Sequence, residues 1–193
     1  MGGVGLEYVL PVGHYLGPVH PAADSPPTHH AVRVGRTPAR LTDQDQLDVW
    51  LLAHGVPSEV GDRPWSRETL LKAASETGVG TAETAFTDLL ARGLLIEASP
   101  DATDVLSPVR HHRLLPLLVG LGTGPGEPLD VIGVPGLLIA LKAEPRVFEL
   151  WEWGHRWPDL WSAWQALSLD ERDGLRAVQT LIAHGAAYLD VVP

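Results

Sequence analysis

The chain contains no cysteine. That removes disulfides, thiolate metal sites and a cysteine nucleophile together. No apolar run approaches the roughly 20 residues that cross a bilayer as a helix. The longest, "LLPLLVGLGTG", is broken by proline and glycine. The N-terminus "MGGVGLEYVL" lacks both a basic region and a long apolar stretch, so no signal peptide is expected and a cytoplasmic protein without membrane contact is the reading. Positive charge is also scarce. Lys and Arg total 14 against 24 Asp and Glu, a net charge of −10. Residues 1–104 carry 7 basic and 14 acidic groups, and residues 105–193 carry 7 and 10. Neither half has the basic excess that follows a phosphate backbone, which disfavours nucleic acid as a partner.

Motifs of catalysis are missing too. "GLGTGPGEP" (Gly120 to Pro128) is interrupted by prolines, and no helix follows it, so it does not make a dinucleotide loop. No serine sits in a nucleophile elbow. The carboxylates read as helix caps or solvated faces. The nine histidines include the pairs His29–His30 and His111–His112. Neighbours on an extended segment point to opposite faces, so neither pair chelates zinc by itself. No catalytic residue, metal site or cofactor is assigned, and an enzyme is not expected.

Hydrophobic residues make up 45% of the chain and charged residues 20%, which suits a folded globular protein. Two stretches organise it. "TAETAFTDLLARGLLIEA" (Thr81 to Ala98) and "DGLRAVQTLIAHGAAYLDV" (Asp173 to Val191) align on Gly93 and Gly185. Each reads as an apolar-faced helix stopped by a glycine and followed by an extended run. The segments before them also correspond. Residues 6–20 read as a strand bent near Pro11 to Gly13, and "HAVRVG" and "TPARLT" as a hairpin. Helices follow over "DQDQLDVWLLAHG", capped by Thr42, and "SRETLLKAASETG", capped by Ser66 with Trp65 stapled onto Leu70. Thr81 to Arg92 is the third, with Ala82, Ala85, Phe86, Leu89 and Leu90 on one stripe.

After a turn at "SPDATD", "VLSPVRHHR" is either a wing strand or a linker. The order then restarts. "LPLLVGLG" (Leu115 to Gly122) lies over "LPVGHYLG" (Leu10 to Gly17), with "TGPGEP" as the following loop. "DVIGVPGLLIAL" supplies two short strands. In "KAEPRVFELWEWG", Val147, Phe148, Leu150 and Gly154 answer Val49, Trp50, Leu52 and Gly55. Pro158 opens the next helix, and Ser168 with Glu171 forms a capping box for the last. The expected architecture is α+β, two tandem winged-helix-like halves at 1–104 and 105–193.

Each half resembles the PqqD-like domain, or RiPP recognition element, of the winged-helix group. The resemblance rests on the hairpin ending "ARLT", the first helix "LDVWLLAHG" or "RVFELWEWG", and the third helix ending "LLARGLL". It implies a peptide- or protein-recognition module, an accessory to a peptide-modifying enzyme, that takes a leader peptide as an added strand. Carried onto this chain, it implies a first groove from Ala39, Arg40 and Leu41 facing Glu83, Phe86, Thr87 and Leu90. It implies a second from Leu138 and Leu141 facing Arg172, Arg176 and Gln179. The runner-up is a winged-helix DNA-binding regulator, which the acidic third helix disfavours. Five tryptophans crowd the second half. Trp157, Trp161 and Trp164 fall at core-stripe spacing, whereas Trp153 and Trp157 also suit an interface with a partner or a second copy in a homodimer.

Overall fold

The protein is described by a computed structural model covering residues 7–61, 63–101, 106–123 and 128–193. It is a mixed α+β chain with several small sheets. The expected boundary at 104/105 and most of the loop at 123–128 lie outside the described residues.

One element order runs twice. The first pass is β1 (Tyr8–Pro11), β2 (His14–Val19), β3 (His29–Val34), β4 (Thr37–Leu41), α1 (Gln44–Leu52), α2 (Arg67–Glu76), α3 (Ala82–Ala91) and β5 (Leu95–Ala98). A five-residue helix, α4 (Leu106–Arg110), leads into the second pass. That pass is β6 (His112–Pro116), β7 (Val119–Gly122), β8 (Asp130–Val134), β9 (Leu138–Ala143), α5 (Pro145–Trp153), α6 (Leu160–Leu167), α7 (Glu171–Ala183) and β10 (Ala187–Val191). The pairings repeat as well. β1 pairs antiparallel with β5, and β6 with β10. The three-stranded sheets run β2–β3–β4 and β7–β8–β9, so β4 and β9 are edge strands. Both sheets carry a register shift at the same place, before Gly17 and before Gly122.

Several local expectations change. The bent first strand is two strands, because the chain turns at Gly13. Its φ is +101°, and a Cβ there would sit 2.6 Å from Val32 Cγ1 and 2.7 Å from the Arg33 carbonyl oxygen, so only glycine fits. "VLSPVRHHR" is neither wing nor plain linker, but α4 followed by the opening of β6. Asp43, not Thr42, caps α1, its carboxylate accepting from the Asp45 amide at 2.8 Å. Asp170 likewise caps α7, while Ser168 closes α6 in the left-handed conformation. Asp159 caps α6, which places Pro158 before the helix. The helix bounds set Leu150 and Trp151, rather than Val147 and Phe148, against Val49 and Trp50.

The β1–β5 ladder separates two cores. Val9 and Leu95 point into a first core with Val32, Leu41, Trp50, Trp65, Leu70, Phe86 and Leu89. Tyr8, Leu10 and Ala98, on the other face, join a second core with Leu114, Ile132, Leu150, Trp164, Leu175 and Val178. Burying each large apolar side chain contributes about 1.5–3 kcal/mol. Polar contacts lock the halves. The buried Gln179 amide accepts from the Trp65 N–H at 2.9 Å and donates to the Trp65 carbonyl at 3.3 Å. The Gly13 N–H donates to the Leu189 carbonyl at 2.7 Å, Arg33 to the Tyr188 hydroxyl at 2.6 Å, and the Gly35 N–H to Asp190 at 2.6 Å.

Candidate functional site

The two edge strands β4 and β9 occupy the same place in the repeat, and each lies near the last helix of its pass. Their surroundings differ. In the first pass the space is filled. Gln46 Nε2 donates to Asp88 at 3.0 Å, and Arg92 donates to the same carboxylate at 3.1 Å. Arg92 also reaches across to the Arg40 carbonyl oxygen at 2.5 Å. Pro38, two residues along the edge, has no N–H to offer a further strand. Leu41 and Phe86 are both fully buried in the first core.

In the second pass the corresponding space is open. A cavity of about 220 Å³ lies between the end of β9 and one face of α7. Leu141, Lys142 and Ala143 form its strand wall, and Asp173, Arg176, Ala177 and Thr180 its helix wall. Glu144, Arg146, Val147, Leu169 and Gly61 complete it. The repeat explains the opening residue by residue. Capping positions put Val147 where the first pass has Gln46. The glycines ending the last helices put Thr180 where it has Asp88, and His184 where it has Arg92. Strand register puts Ala143 where it has Leu41. Each replacement shortens or neutralises a side chain that fills the first pass.

The cavity is apolar at its base and charged at its rim. Arg146 donates to the Ser168 carbonyl at 2.6 Å and is held in place. Arg176 has no hydrogen-bond or carboxylate partner among the described residues; burial pushes the nearby Tyr8 phenol pKa up, and the positive charges of Arg172 and Arg176 only partly oppose it.

The expected site residues are distributed as follows. Leu141 and Arg176 meet in the cavity. Leu138 lies at the far, exposed end of β9. Arg172 is drawn toward Asp101 at 3.9 Å on the surface. Gln179 faces the junction with Trp65 instead of the groove. In the first pass, Glu83 forms a salt bridge with Arg67, and Thr87 bonds back to the Glu83 carbonyl at 2.9 Å. Ala39 and Leu90 are half-buried against the first core, and Arg40 is exposed with its carbonyl engaged by Arg92. Of the tryptophans, Trp151 and Trp164 are buried, and Trp157 and Trp161 pack partly buried on the second core. Trp153 is exposed, with the Arg156 guanidinium 4.6 Å above its ring.

Sequence reasoning missed Val147, Asp173 and Thr180. The signal was available, because the alignment on Gly93 and Gly185 sets Thr180 and His184 under Asp88 and Arg92.

No protein-family model, curated protein or solved structure matches the chain. Among the described residues no helix is long and apolar enough to cross a membrane. Among them, too, no three His, Asp or Glu side chains gather as metal ligands would.

Proposed function

We propose that this protein is a non-catalytic recognition module whose second, winged-helix-like half binds an extended peptide segment. The segment adds beside β9 and places an aliphatic side chain in the cavity. An acidic residue of the segment pairs with Arg176. The observation that carries this reading is the contrast between the plugged first pass and the open second one. Main-chain pairing on an edge strand gives affinity with little sequence demand, and the adjoining cavity supplies selectivity. The resemblance to PqqD-like domains supports the same geometry, with the duty resting on the second copy alone. An accessory to a peptide-modifying enzyme is the role this reading carries.

The test is a selection from a random peptide display library. Wild-type protein is expected to enrich sequences with an aliphatic residue beside an acidic one. The same peptides should lose binding to a variant carrying the first pass's residues (V147Q, T180D, H184R), all at half-buried positions that tolerate them. Enrichment that survives those three changes, or enrichment of basic sequences, overturns the assignment. A parallel arm with random duplex DNA at moderate salt decides against the regulator reading if nothing is retained.

A further inference from the structure

β9 is the edge strand on which the recognition reading rests, and its edge is interrupted. β8 and β9 pair in step from Asp130↔Ala143 to Ile132↔Leu141, and then Gly133 pairs with Ile139. Ala140 is left over, a β-bulge on the edge strand itself. β4 has no such fault, and its pairing with β3 runs in step from His30↔Leu41 to Val34↔Thr37. The cause lies in the sequence. The first pass carries Arg33 opposite Pro38, and the second carries Gly133 opposite Ile139. With no side chain at 133, the edge strand closes down on the inner one, and a Cβ there would collide with the Leu138 carbonyl oxygen. A bulge disrupts the ladder, bends its strand and increases the twist, which ends pairing along an edge.

The other end of the edge is closed by proline. Glu144 is still extended, with φ −61° and ψ 152°, and Pro145 then opens α5. Proline has no N–H to offer an added strand. Between bulge and proline the edge consists of residues 141–144. The cavity lies beside this stretch: Leu141, Lys142, Ala143 and Glu144 all line it, and Leu138, Ile139 and Ala140 do not. The exposed side chains of Leu138 and Ile139 lie beyond the bulge.

We infer, on the basis of the recognition reading, that the partner of this groove is a short linear motif. About four residues pair beside 141–144 and leave the sheet at Ala140, so no long segment lies along the whole strand. Backbone groups of a strand point alternately to its two sides, so only about two of those edge residues direct theirs toward the partner. The main chain therefore contributes few hydrogen bonds. The aliphatic side chain in the cavity and the acidic residue at Arg176 carry the selection. Leu138, expected as part of the second groove, takes no part.

The test takes a peptide enriched by the display selection, trims it from each end and measures every product by fluorescence anisotropy. A core of about four or five residues should hold its affinity within about threefold of the parent, and one further residue removed should cost about tenfold or more. Leu138→Ser and Ile139→Ser, both at exposed positions, should leave the parent's affinity within about twofold. Deleting Ala140 gives β9 the in-step pairing of β4, and the parent should then bind the folded variant about fivefold tighter than the core does, through the added hydrogen bonds. The truncations and the serine variants decide the matter where the deletion does not fold. A core of about seven residues or more, or a loss of about tenfold in Leu138→Ser, overturns the short motif and leaves recognition by the second half standing. An unchanged preference in the folded deletion variant overturns the role of the bulge. Failure to enrich any peptide removes the recognition reading, and this inference with it.

Discussion

Replacing Gly174 with alanine sets two known effects against each other. Gly174 lies inside α7. On helix propensity alone, alanine should stabilise an interior helical position by up to about 1 kcal/mol. The structure opposes this. A Cβ at Gly174 would lie 2.5 Å from both Cδ2 and Cε2 of Trp164 and 2.9 Å from its Nε1. Those atoms belong to the fused part of a fully buried indole, which has no flexible end to swing aside. Overpacking of this kind typically costs about 1–3 kcal/mol. The net expectation is destabilisation by about 1–2 kcal/mol, or a fall in Tm of roughly 2–8 °C for a chain of this size. Urea and thermal unfolding followed by circular dichroism would read it. In a Trp164→Leu background the clash is gone, and Gly174→Ala should become neutral or stabilising. The double-mutant cycle then isolates the contact. A Gly174→Ala protein more stable than wild type would refute the packing argument. The first pass, with Ala82 at the corresponding place, has no such ring to accommodate.

Three further expectations follow from named contacts. Gln179→Ala leaves the Trp65 N–H without its buried acceptor, and should cost about 1–3 kcal/mol in the urea midpoint while speeding hydrogen exchange at the Trp65 amide. Burial holds the His112 imidazole below its ordinary pKa, a shift only partly opposed by its bond to the Pro108 carbonyl. The unfolded chain therefore binds the proton first, so stability should fall as pH drops below about 6.5. A His112→Phe variant should show a flatter profile across pH 5–7. The Thr81 hydroxyl and amide hold the Asp45 carboxylate below its ordinary pKa. This contact should be lost only as pH falls through and below the usual aspartate range near 3.9, and acid titration by NMR should show Asp45 protonating after the solvated aspartates.

The recurring element order was legible because glycines that end helices and turn strands leave fixed marks. Gly93 and Gly185, and Gly17 and Gly122, line up in both the sequence and the structure. Helix cores were legible where apolar spacing is unambiguous, as at Ala82, Ala85, Phe86 and Leu89. Caps were misread by a residue or two, because Thr42, Asp43, Ser168 and Asp170 are all competent and only backbone geometry chooses among them. The groove was harder. Leu41 and Phe86 have the composition of a binding edge, but the first pass turns them inward, while Gln179 is drawn away by the backbone of Trp65. Which face of a helix a half-apolar residue takes depends on what the other half of the chain presents, and a single stretch does not record that.

The most direct test of the open second groove is amide hydrogen exchange along β9 and β4, with and without a peptide enriched by the display selection. Protection confined to β9 and the facing turns of α7, with β4 unchanged, is the expected result. Protection of β4, or none on either strand while the peptide is bound, would contradict the assignment of recognition to the second half.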